Sequence, residues 1–254
     1  MSSVSSKYIA DSVIALGKSM RNSRAELLTH FGSIKHTIKP NHTIVTEMDS
    51  LIESRLTSEL LNLDTDIGIL GEELGQQGSS SVYWLIDPID GTEQFVRGLS
   101  GCVNMACLID DNRPIVSVIY DFVHDELYTA VEGLGAQKNE SSIQVSNRPL
   151  NRAWVEFAFR KGQSELMPLI NKLAESVSIV RLRNSLLVSN GKVDGLVTVD
   201  GKGGLWDYAP RVLMIQEAGG KVANIGSDNY DFHNTSFIAS NPVIYEDLQK
   251  IMTS

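Results

Sequence analysis

The spacing of apolar residues in the first sixty or so positions predicts two helices separated by a polar loop. From residue 5 to 31, apolar side chains recur at intervals of three and four, which is typical of a long amphipathic helix. The loop that follows contains Lys39, and a second helical pattern covers 49–56. Asp49 falls in the first turn of this second helix, where a carboxylate interacts favourably with the helix dipole.

Short apolar runs bounded by turn residues predict strands through the middle of the chain. Residues 67–70 and 82–86 form two such runs, and a loop of Gly, Gln and Ser separates them. From residue 101 onward the pattern predicts a meander, whose consecutive strands pair antiparallel. The strands of this meander are expected at 103–109, 114–120, 126–131 and 143–145.

In the second half of the chain, predicted strands alternate with predicted helices. Strands are expected at 154–159, 178–182, 194–199, 221–225 and 236–240, and helices at 164–176, 185–190, 207–218 and 246–252. This alternation is typical of a layered α/β arrangement. We therefore expect residues 1–148 to form an α+β half with an antiparallel sheet, and residues 149–254 to form an α/β half.

Composition narrows the class of protein without identifying its chemistry. The chain has 254 residues, of which 42% are apolar, and this is enough for a large core. A net charge of −9 argues against a nucleic-acid polymer as partner, because such a surface needs clustered Lys and Arg. We see no secretory signal, and the apolar runs are shorter than a membrane span of roughly 20 residues. Cys102 and Cys107 are expected to be reduced core thiols, which favours a cytoplasmic protein.

Four carboxylates follow two neighbouring predicted strands. Glu72 and Glu73 come after the first strand, and Asp87 and Asp90 come after the second. Adjacent strands would bring these ends close together, although neither local segment contains a Lys or Arg. Two unit charges about 4 Å apart repel by about 4 kcal/mol at an effective dielectric constant of about 20, so the cluster needs a counter-charge. All the donors are oxygens, which favours a hard cation, with Mg²⁺ preferred over Zn²⁺.

Each of these acids, taken alone, also has a plainer interpretation. Asp87 and Asp90 stand in Asp-Pro and Asp-Gly pairs, which are ordinary turn signals. Glu72 and Glu73 could lie in a solvated loop. Asp207, at the predicted start of a helix, could be an N-cap. The position of the four acids after two successive strands makes a metal site the preferred interpretation.

The residues around Asp90 also predict an anion site. Pro88 fixes the loop and could direct the carbonyl of Ile89 toward the cation. Gly91 lets the backbone approach a phosphate closely, and the Thr92 hydroxyl can hold a water. A helical turn beginning here would offer free amides to a phosphate. Cations beside such amides suggest phosphate-ester chemistry.

Four sequence elements occur in order between about residue 43 and residue 224. They are Gly71-Glu72-Glu73, Asp87-Pro88-Ile89-Asp90-Gly91-Thr92, Trp206-Asp207-Tyr208-Ala209 and Glu217-Ala218-Gly219-Gly220. Together they resemble the inositol monophosphatase family of Mg²⁺-dependent, lithium-sensitive phosphatases. The resemblance implies an αβαβα sandwich of the inositol monophosphatase and fructose-1,6-bisphosphatase type. It also implies a homodimer that acts on a small phosphorylated metabolite.

The resemblance implies two to three Mg²⁺ ions per active site and assigns their ligands. Glu72, Asp87 and the carbonyl of Ile89 would hold the first ion. The second would be held by Asp87, Asp90 and Asp207, so that Asp87 bridges the two. Glu72 would also face a weaker third ion.

The same resemblance implies roles in catalysis and substrate binding. Thr92, hydrogen-bonded to Asp49, would orient the attacking water, and Glu72 would complete the catalytic set. The amides of Gly91 and Thr92 would hold phosphate. The residues implied to contact the substrate are Asp90, Gly91, Thr92, Ser185, Asp200 and Asp207.

Several positions depart from the family pattern, and all of them lie in the part of the active site that would contact the alcohol portion of the substrate. Gln94 stands where the family usually has Asn, and Asn184-Ser185-Leu186 replaces Gly-(Ser/Thr)-Ala. Asp200 stands where inositol-cleaving members have a Glu that contacts sugar hydroxyls. Arg211 lies in a segment where small residues are more usual. Phosphate-ester hydrolysis is therefore better supported than inositol as the alcohol.

We therefore expect an enzyme, a Mg²⁺-dependent phosphoric monoester hydrolase. Its substrate could be inositol phosphate, histidinol phosphate, a sugar phosphate or bisphosphate, or 3′-phosphoadenosine 5′-phosphate. Lys161, Arg181, Arg183 and Arg211 could contact a second phosphate or a carboxylate, or be surface cations. The alternatives are a metal- or phosphate-binding regulator without turnover and a calcium-dependent carbohydrate-binding module.

Overall fold

The structure is a computed structural model that describes residues 4–40, 43–78, 81–159, 162–182, 186–201 and 203–254. The chain divides into two compact units, Met1–Glu132 and Gly133–Ser254. The predicted division after residue 148 falls inside the second unit, and as a domain boundary it stays a prediction. Within the described ranges, no helix is both long and apolar enough to cross a membrane.

Two helices and a short hairpin begin the first unit. Helix α1 spans Ser6–His30, strands β1 and β2 span His36–Ile38 and Ile44–Thr46, and helix α2 spans Glu47–Leu63. Both predicted helices are confirmed. The sequence predicts only a loop where β1 and β2 pair, because strands of three residues are too short for a readable alternation.

The main sheet of the first unit is mixed. Its strands are β3 Gly68–Gly71, β4 Gly75–Gln77, β5 Val82–Asp90, β6 Val103–Asp110, β7 Arg113–Asp121 and β8 Glu126–Val131, with helix α3 Thr92–Arg97 after β5. They lie in the order β8-β7-β6-β5-β3-β4. β3 and β5 are parallel, and all other neighbours among these six strands are antiparallel. The predicted meander is confirmed for β6 to β8, whereas the parallel pair shows that the sheet is not antiparallel throughout.

The core of the first unit combines side chains from both helices and the sheet. Leu16 and Met20 of α1, Ile52 of α2 and Trp84 of β5 are each at most 1% exposed. Burying a side chain of this size contributes about 1.5–3 kcal/mol to stability. The indole N–H of Trp84 donates to the Tyr8 hydroxyl at 2.9 Å, so the polar end of this ring is satisfied as well.

The two cysteines are free and buried, as the sequence predicts. Burial raises the pKa of Cys102 to about 12, and burial also raises the pKa of Cys107. Both side chains are therefore protonated thiols that belong to the core.

The second unit begins with a hairpin and continues as an α/β arrangement. The hairpin consists of β9 Gly135–Lys138 and β10 Ser141–Ser142. The later strands are β11 Trp154–Ala158, β12 Ser178–Val180, β13 Gly195–Thr198, β14 Lys221–Asn224 and β15 Phe237–Ser240. The helices are α4 Met167–Ala174, α5 Leu186–Ser189, α6 Leu205–Glu217 and α7 Tyr245–Thr253, with 3₁₀ turns at Leu150–Arg152 and Ser164–Leu166.

The second sheet has the order β12-β11-β13-β15-β14. β11 runs parallel to both of its neighbours, and β15 runs antiparallel to both of its neighbours. Its buried core includes Val155, Phe157, Val197, Ile238 and Leu248. The predicted alternation of strands and helices is confirmed.

Two expectations for the second unit are wrong in detail. Residues 143–145 form no strand: the N–H of Ile143 still donates to the Ala136 carbonyl of β9 at 3.0 Å, but that of Val145 donates to the Ala218 carbonyl at 2.9 Å, which ends the pairing. Helix α6 begins at Leu205, two residues before the predicted start at Asp207.

Candidate functional site

The parallel pairing of β3 and β5 brings two acidic strand ends together. In this register Gly71 lies opposite Ile86, and the backbone N–H of Glu72 donates to the Ile86 carbonyl at 3.1 Å. Glu72 therefore leaves β3 beside the point where β5 reaches Asp87. The predicted closeness of these two segments is confirmed.

A bulge near the end of β5 gathers two of the aspartates. The pairing with β6 shifts between Asp87 and Asp90, which accommodates Pro88, a residue with no N–H to donate. A carboxylate oxygen of Asp87 and one of Asp90 lie within 4.8 Å of one another. Asp87 is only 1% exposed, so solvent screens this pair of acids poorly.

Asn104 is a site residue that the sequence analysis missed. Its side chain is fully buried on β6, and its amide nitrogen donates to the Pro88 carbonyl at 2.5 Å. This hydrogen bond fixes the bulge that carries Asp87 and Asp90. The available signal was a lone amide inside the apolar run from 102 to 109.

Thr92 and Asp49 form a second polar group in the first unit. The Thr92 hydroxyl lies 3.2 Å from Asp49 Oδ1 and 3.0 Å from the carbonyl oxygen of Ile89. Its single proton has these two acceptors. Asp49 Oδ2 accepts hydrogen bonds from the backbone N–H of Thr46 at 2.8 Å and from its hydroxyl at 2.6 Å. Asp49 is therefore fixed with its other oxygen directed at Thr92.

Asp49 combines this contact with a structural task. It lies in the first turn of α2, as predicted, and closes a capping box with Thr46. Burial raises the pKa of Asp49, and the hydrogen bonds from Thr46 offset this only in part. Asp49 accepts two hydrogen bonds from Thr46 and one from the Thr92 hydroxyl. Hydrogen bonds to an ionised carboxylate are strong, so Asp49 can hold the Thr92 hydroxyl in one orientation.

Gly91 occupies the N-cap of α3 with a φ of 84°, in the region that favours glycine. A Cβ atom here would lie 2.9 Å from the carbonyl oxygen of Gly101 and 3.2 Å from Cys102 Cα. A larger residue would therefore push the loop away from its neighbours. The predicted helical turn is confirmed, and the amides of Gly91 and Thr92 lie at its start.

A lysine that the sequence analysis did not connect with the acids lies among them. Lys39 Nζ is 3.2 Å from Glu72 Oε1 and 2.5 Å from Glu73 Oε1. Neither local segment contains a Lys or Arg, as the sequence shows, but part of the expected counter-charge comes from this distant lysine. Lys39 follows β1, and the β1–β2 hairpin brings it to residues more than thirty positions later in the chain.

The charges in this group shift one another's pKa values. Burial raises the pKa of Glu72, although Lys39 lowers it in part. Burial lowers the pKa of Lys39, but hydrogen bonding to Glu73 and the charges of both glutamates outweigh burial and raise it overall. Lys39 is therefore a firmly protonated counter-ion for the pair of glutamates.

Replacing Lys39 with methionine is expected to lower the free energy of unfolding by about 1 kcal/mol in EDTA, because two partly buried glutamates lose their cation. Saturating Mg²⁺ should reduce this loss. Chemical denaturation with and without Mg²⁺ measures both effects. Lys35→Met, at an exposed lysine four residues earlier, is the matched control. Equal stability of the Lys39 variant and the wild type in EDTA would contradict this prediction.

In the second unit, Asp207 lies in the first turn of α6. Its Oδ2 accepts the backbone N–H of Gly204 at 2.6 Å, and Gly204 is the N-cap. The interpretation of Asp207 itself as the N-cap is therefore wrong. A Cβ atom on Gly203 would lie 2.5 Å from Asp207 Oδ2, so glycine at 203 leaves room for this carboxylate. Whether Asp207 binds metal stays a prediction.

The residues before α6 are fixed by side chains of the same unit. Asp200 has a φ of 45°, and its backbone N–H donates to the Ser236 hydroxyl at 3.0 Å. The Tyr208 hydroxyl accepts the N–H of Gly203 at 3.2 Å, and its ring packs edge-on against Phe237. Asp200 itself is exposed and is held at its backbone by Ser236.

The remaining predicted substrate contacts have mixed outcomes. Ser185 and its neighbour Asn184 lie outside the described residues, as do Lys161 and Arg183. Leu186 is buried at the start of α5, and Gln94 is half-buried in α3. Arg211 Nη1 donates to the carbonyl of Asp207 at 3.2 Å. The guanidinium of Arg181 stacks over the Phe159 ring at 4.1 Å, so it is engaged within its own unit.

Comparisons with known proteins show which family the chain belongs to. A family model described as the inositol monophosphatase family matches residues 9–253. The Nus factor SuhB of Xylella fastidiosa is 31% identical over 93% of this chain and 92% of its own length. The inositol-1-monophosphatase of Bacillus subtilis is 30% identical over 96% of this chain and 92% of its own length.

A solved structure extends the likeness to the fold. The IMPase of Thermotoga maritima superposes with a TM-score of 0.84 at 27% identity, covering 93% of this chain and 94% of the other. The layered α/β fold of the inositol monophosphatase type, expected from the sequence, is thereby confirmed. Since the family model covers nearly the whole chain, this protein belongs to the inositol monophosphatase family and is a phosphoric monoester hydrolase.

Proposed function

We propose that this protein hydrolyses a small phosphate monoester with the help of Mg²⁺. The observation that carries the proposal is the hydrogen bond between Thr92 and Asp49 next to the Asp87–Asp90 pair. A hydroxyl held by a buried carboxylate can orient a water, and two carboxylates at one bulge can bind a cation. Their combination in a stretch of fewer than fifty residues fits hydrolysis better than binding alone.

The donors present fit a hard divalent cation. All are carboxylate or carbonyl oxygens, and Asp87 and Asp90 are close enough to share one ion. We propose that Glu72, Asp87 and the Ile89 carbonyl hold one Mg²⁺. Asp207 of the second unit would join Asp87 and Asp90 at another, and Glu72 would face a weaker third. When bound, Mg²⁺ supplies positive charge to the phosphoryl oxygens and lowers the pKa of water.

The protein's own groups would orient the water and hold the phosphate. Thr92 donates its proton to Asp49 Oδ1, which leaves lone pairs on the Thr92 oxygen to accept a hydrogen bond from the water. Asp49 cannot rotate away, because Thr46 holds its other oxygen. The backbone amides of Gly91 and Thr92 would bind phosphate oxygens, where the absent side chain of Gly91 permits close approach.

The alcohol portion of the substrate would contact the second unit. We propose that Asp200, Asp207 and Ser185 contribute to this recognition. The name of the Bacillus subtilis relative favours inositol 1-phosphate. Histidinol phosphate, a sugar phosphate or bisphosphate, and 3′-phosphoadenosine 5′-phosphate are the other candidates.

A screen of these phosphate esters with released phosphate as the readout tests the proposal. We expect one ester to be hydrolysed at least about tenfold faster than the others at a subsaturating concentration, which corresponds to about 1.4 kcal/mol of transition-state preference. EDTA should abolish release, and Mg²⁺ should restore it. Turnover that survives exhaustive chelation would overturn the metal-dependent mechanism.

A second candidate function follows from the Xylella fastidiosa relative, which is named a Nus factor. The chain could act as a regulator that binds metal or phosphate without turnover. Asp49, Thr92, Asp87 and Asp90 are all present in a geometry suited to hydrolysis, and this favours the enzyme. Turnover of para-nitrophenyl phosphate with and without Mg²⁺ separates the two functions, since a pure regulator would release no phosphate.

Family membership also supports three further properties that we propose for this chain. They are a homodimeric state, inhibition by lithium and a cytoplasmic location. Sedimentation and lithium titration of the purified protein would address the first two.

A further inference from the structure

Glu53 is a buried acid of the first unit to which the proposed mechanism gives no role. It lies one helical turn after Asp49 on α2 and is 1% exposed. Its carboxylate reaches the three-residue turn between β3 and β4. Oε2 accepts the backbone N–H of Glu73 at 2.8 Å, and Oε1 accepts that of Leu74 at 2.8 Å. Each oxygen of Glu53 thus holds one amide of the turn that begins with Glu72.

Gly71 gives Glu53 the space to do this. A Cβ atom on Gly71 would lie 1.8 Å from Glu53 Oε1 and 2.4 Å from Glu53 Cδ. Such a contact is impossible without moving the carboxylate. The glycine before the two glutamates is therefore explained by the side chain of Glu53, which passes directly over the end of β3.

An acid at this position is costly for stability. Burial and the charge of Glu73 raise the pKa of Glu53, although hydrogen bonds from two amides and the charge of Lys39 lower it in part. The amides of Glu73 and Leu74 point at this buried carboxylate, so without Glu53 they would lose their acceptors. Hydrogen bonds from the two amides offset part of this cost, so the acid at position 53 is coupled to the conformation of the turn.

That conformation determines where Glu72 lies. The N–H of Glu72 is bound to Ile86 on β5, and the next two amides are bound to Glu53. Three consecutive amides are therefore fixed, which leaves the Glu72 backbone little freedom. The Glu72 side chain, partly buried and paired with Lys39, therefore extends from a constrained backbone.

We propose that Glu53 is a positioning residue that holds the Glu72–Leu74 turn so that Glu72 is preorganised to bind Mg²⁺. This inference rests on the proposed function, in which Glu72 is a metal ligand. Glu53 itself lies behind the turn and touches neither metal nor substrate. Its effect on the cation is transmitted through the backbone of residues 73 and 74.

Glu53→Gln tests the proposal with almost no change in shape. A glutamine has one acceptor oxygen, so one of the two amides would face an NH₂ group instead. We expect the affinity for Mg²⁺, measured by isothermal titration calorimetry, to fall by about tenfold or more, as for other residues that orient metal ligands. Thr57→Val, one turn further along α2, is the matched control. The buried hydroxyl of Thr57 has no hydrogen-bond partner within the described residues. The Mg²⁺ affinity of the Thr57→Val variant should therefore equal that of the wild type.

A double-mutant cycle distinguishes positioning from general destabilisation. If Glu53 acts through Glu72, then Glu53→Gln should change Mg²⁺ affinity little in a Glu72→Gln background. Additive losses, or a folded Glu53→Gln variant with wild-type affinity, would overturn the proposal. Should Glu53→Gln not fold, Gly71→Ala displaces the same carboxylate and must show the same loss of affinity. If Glu72→Gln alone leaves Mg²⁺ binding unchanged, the proposed metal site fails rather than the role of Glu53.

A measurement in EDTA gives an independent readout. Lys39→Met should cost less stability in the Glu53→Gln background than in the wild type, because a loosened turn no longer brings both glutamates to Lys39. An equal cost in the two backgrounds would show that Glu53 does not control the turn.

Discussion

Asp87→Asn is expected to lower Mg²⁺-dependent turnover by more than about a hundredfold while the protein stays folded. Replacing residues that merely orient a metal ligand costs about 10- to 100-fold, so loss of a carboxylate that we propose to be shared by two ions should cost at least as much. In EDTA, we expect the variant to be no less stable than the wild type, because a charge near Asp90 has been removed. Phosphate release and chemical denaturation measure the two quantities.

The control for Asp87→Asn is the same substitution at Asp110. Asp110 is a buried aspartate that pairs with Val82, at the opposite end of β5 from the bulge. Its asparagine variant should keep its turnover. Full activity of Asp87→Asn, or equal losses in both variants, would refute the bridging role of Asp87.

Thr92→Ala is expected to reduce kcat by about 10²- to 10⁴-fold, the range typical of a group that positions or activates a reacting proton. The alanine variant keeps the backbone amide but loses the hydroxyl that joins Asp49 to the water. The apparent affinity for Mg²⁺ should change little, because the Thr92 side chain is not among the proposed ligands. Steady-state kinetics across a Mg²⁺ titration separates the two effects.

Thr92→Ser keeps the hydroxyl and serves as the conservative variant. It should recover most of the activity lost in Thr92→Ala, since serine can make the same contacts with Asp49 and Ile89. Two results would show that Thr92 has another role: a collapse of Mg²⁺ affinity in Thr92→Ala, or a Thr92→Ser variant that does not recover activity.

The parts of the site that could be predicted are those encoded in short segments. Two apolar runs, each followed by acids, were sufficient to predict that the strand ends before Glu72 and Asp87 lie side by side, because adjacent strand ends meet. The turn at Gly91 was equally readable, since its conformation depends on local backbone preferences. In each case the chemistry and the geometry are specified within a few positions.

Residues that act across the fold could not be predicted in this way. Lys39 reaches Glu72 and Glu73 only because a hairpin of two three-residue strands forms, and that hairpin carries too little periodicity to detect. In the sequence Glu53 looks like an ordinary helix glutamate. Only the structure shows that its carboxylate fills the space left by the missing side chain of Gly71. Asn104 is distinguishable only by its partner, the Pro88 carbonyl. Each depends on a contact between residues far apart in sequence, which single-sequence patterns do not contain.

Helix α2 carries Asp49 and Glu53 one turn apart, so both side chains move with a single rigid rod. A small rotation or translation of α2 would disturb the proposed orientation of the water and the proposed binding of the cation at the same time. Substitutions on the buried apolar face of α2, such as Ile52→Val, should therefore change kcat and the Mg²⁺ requirement together, although Ile52 is not among the residues proposed to contact the water or the cation. In that case the proposed orientation of the water and the proposed binding of the cation would both depend on the position of this one helix.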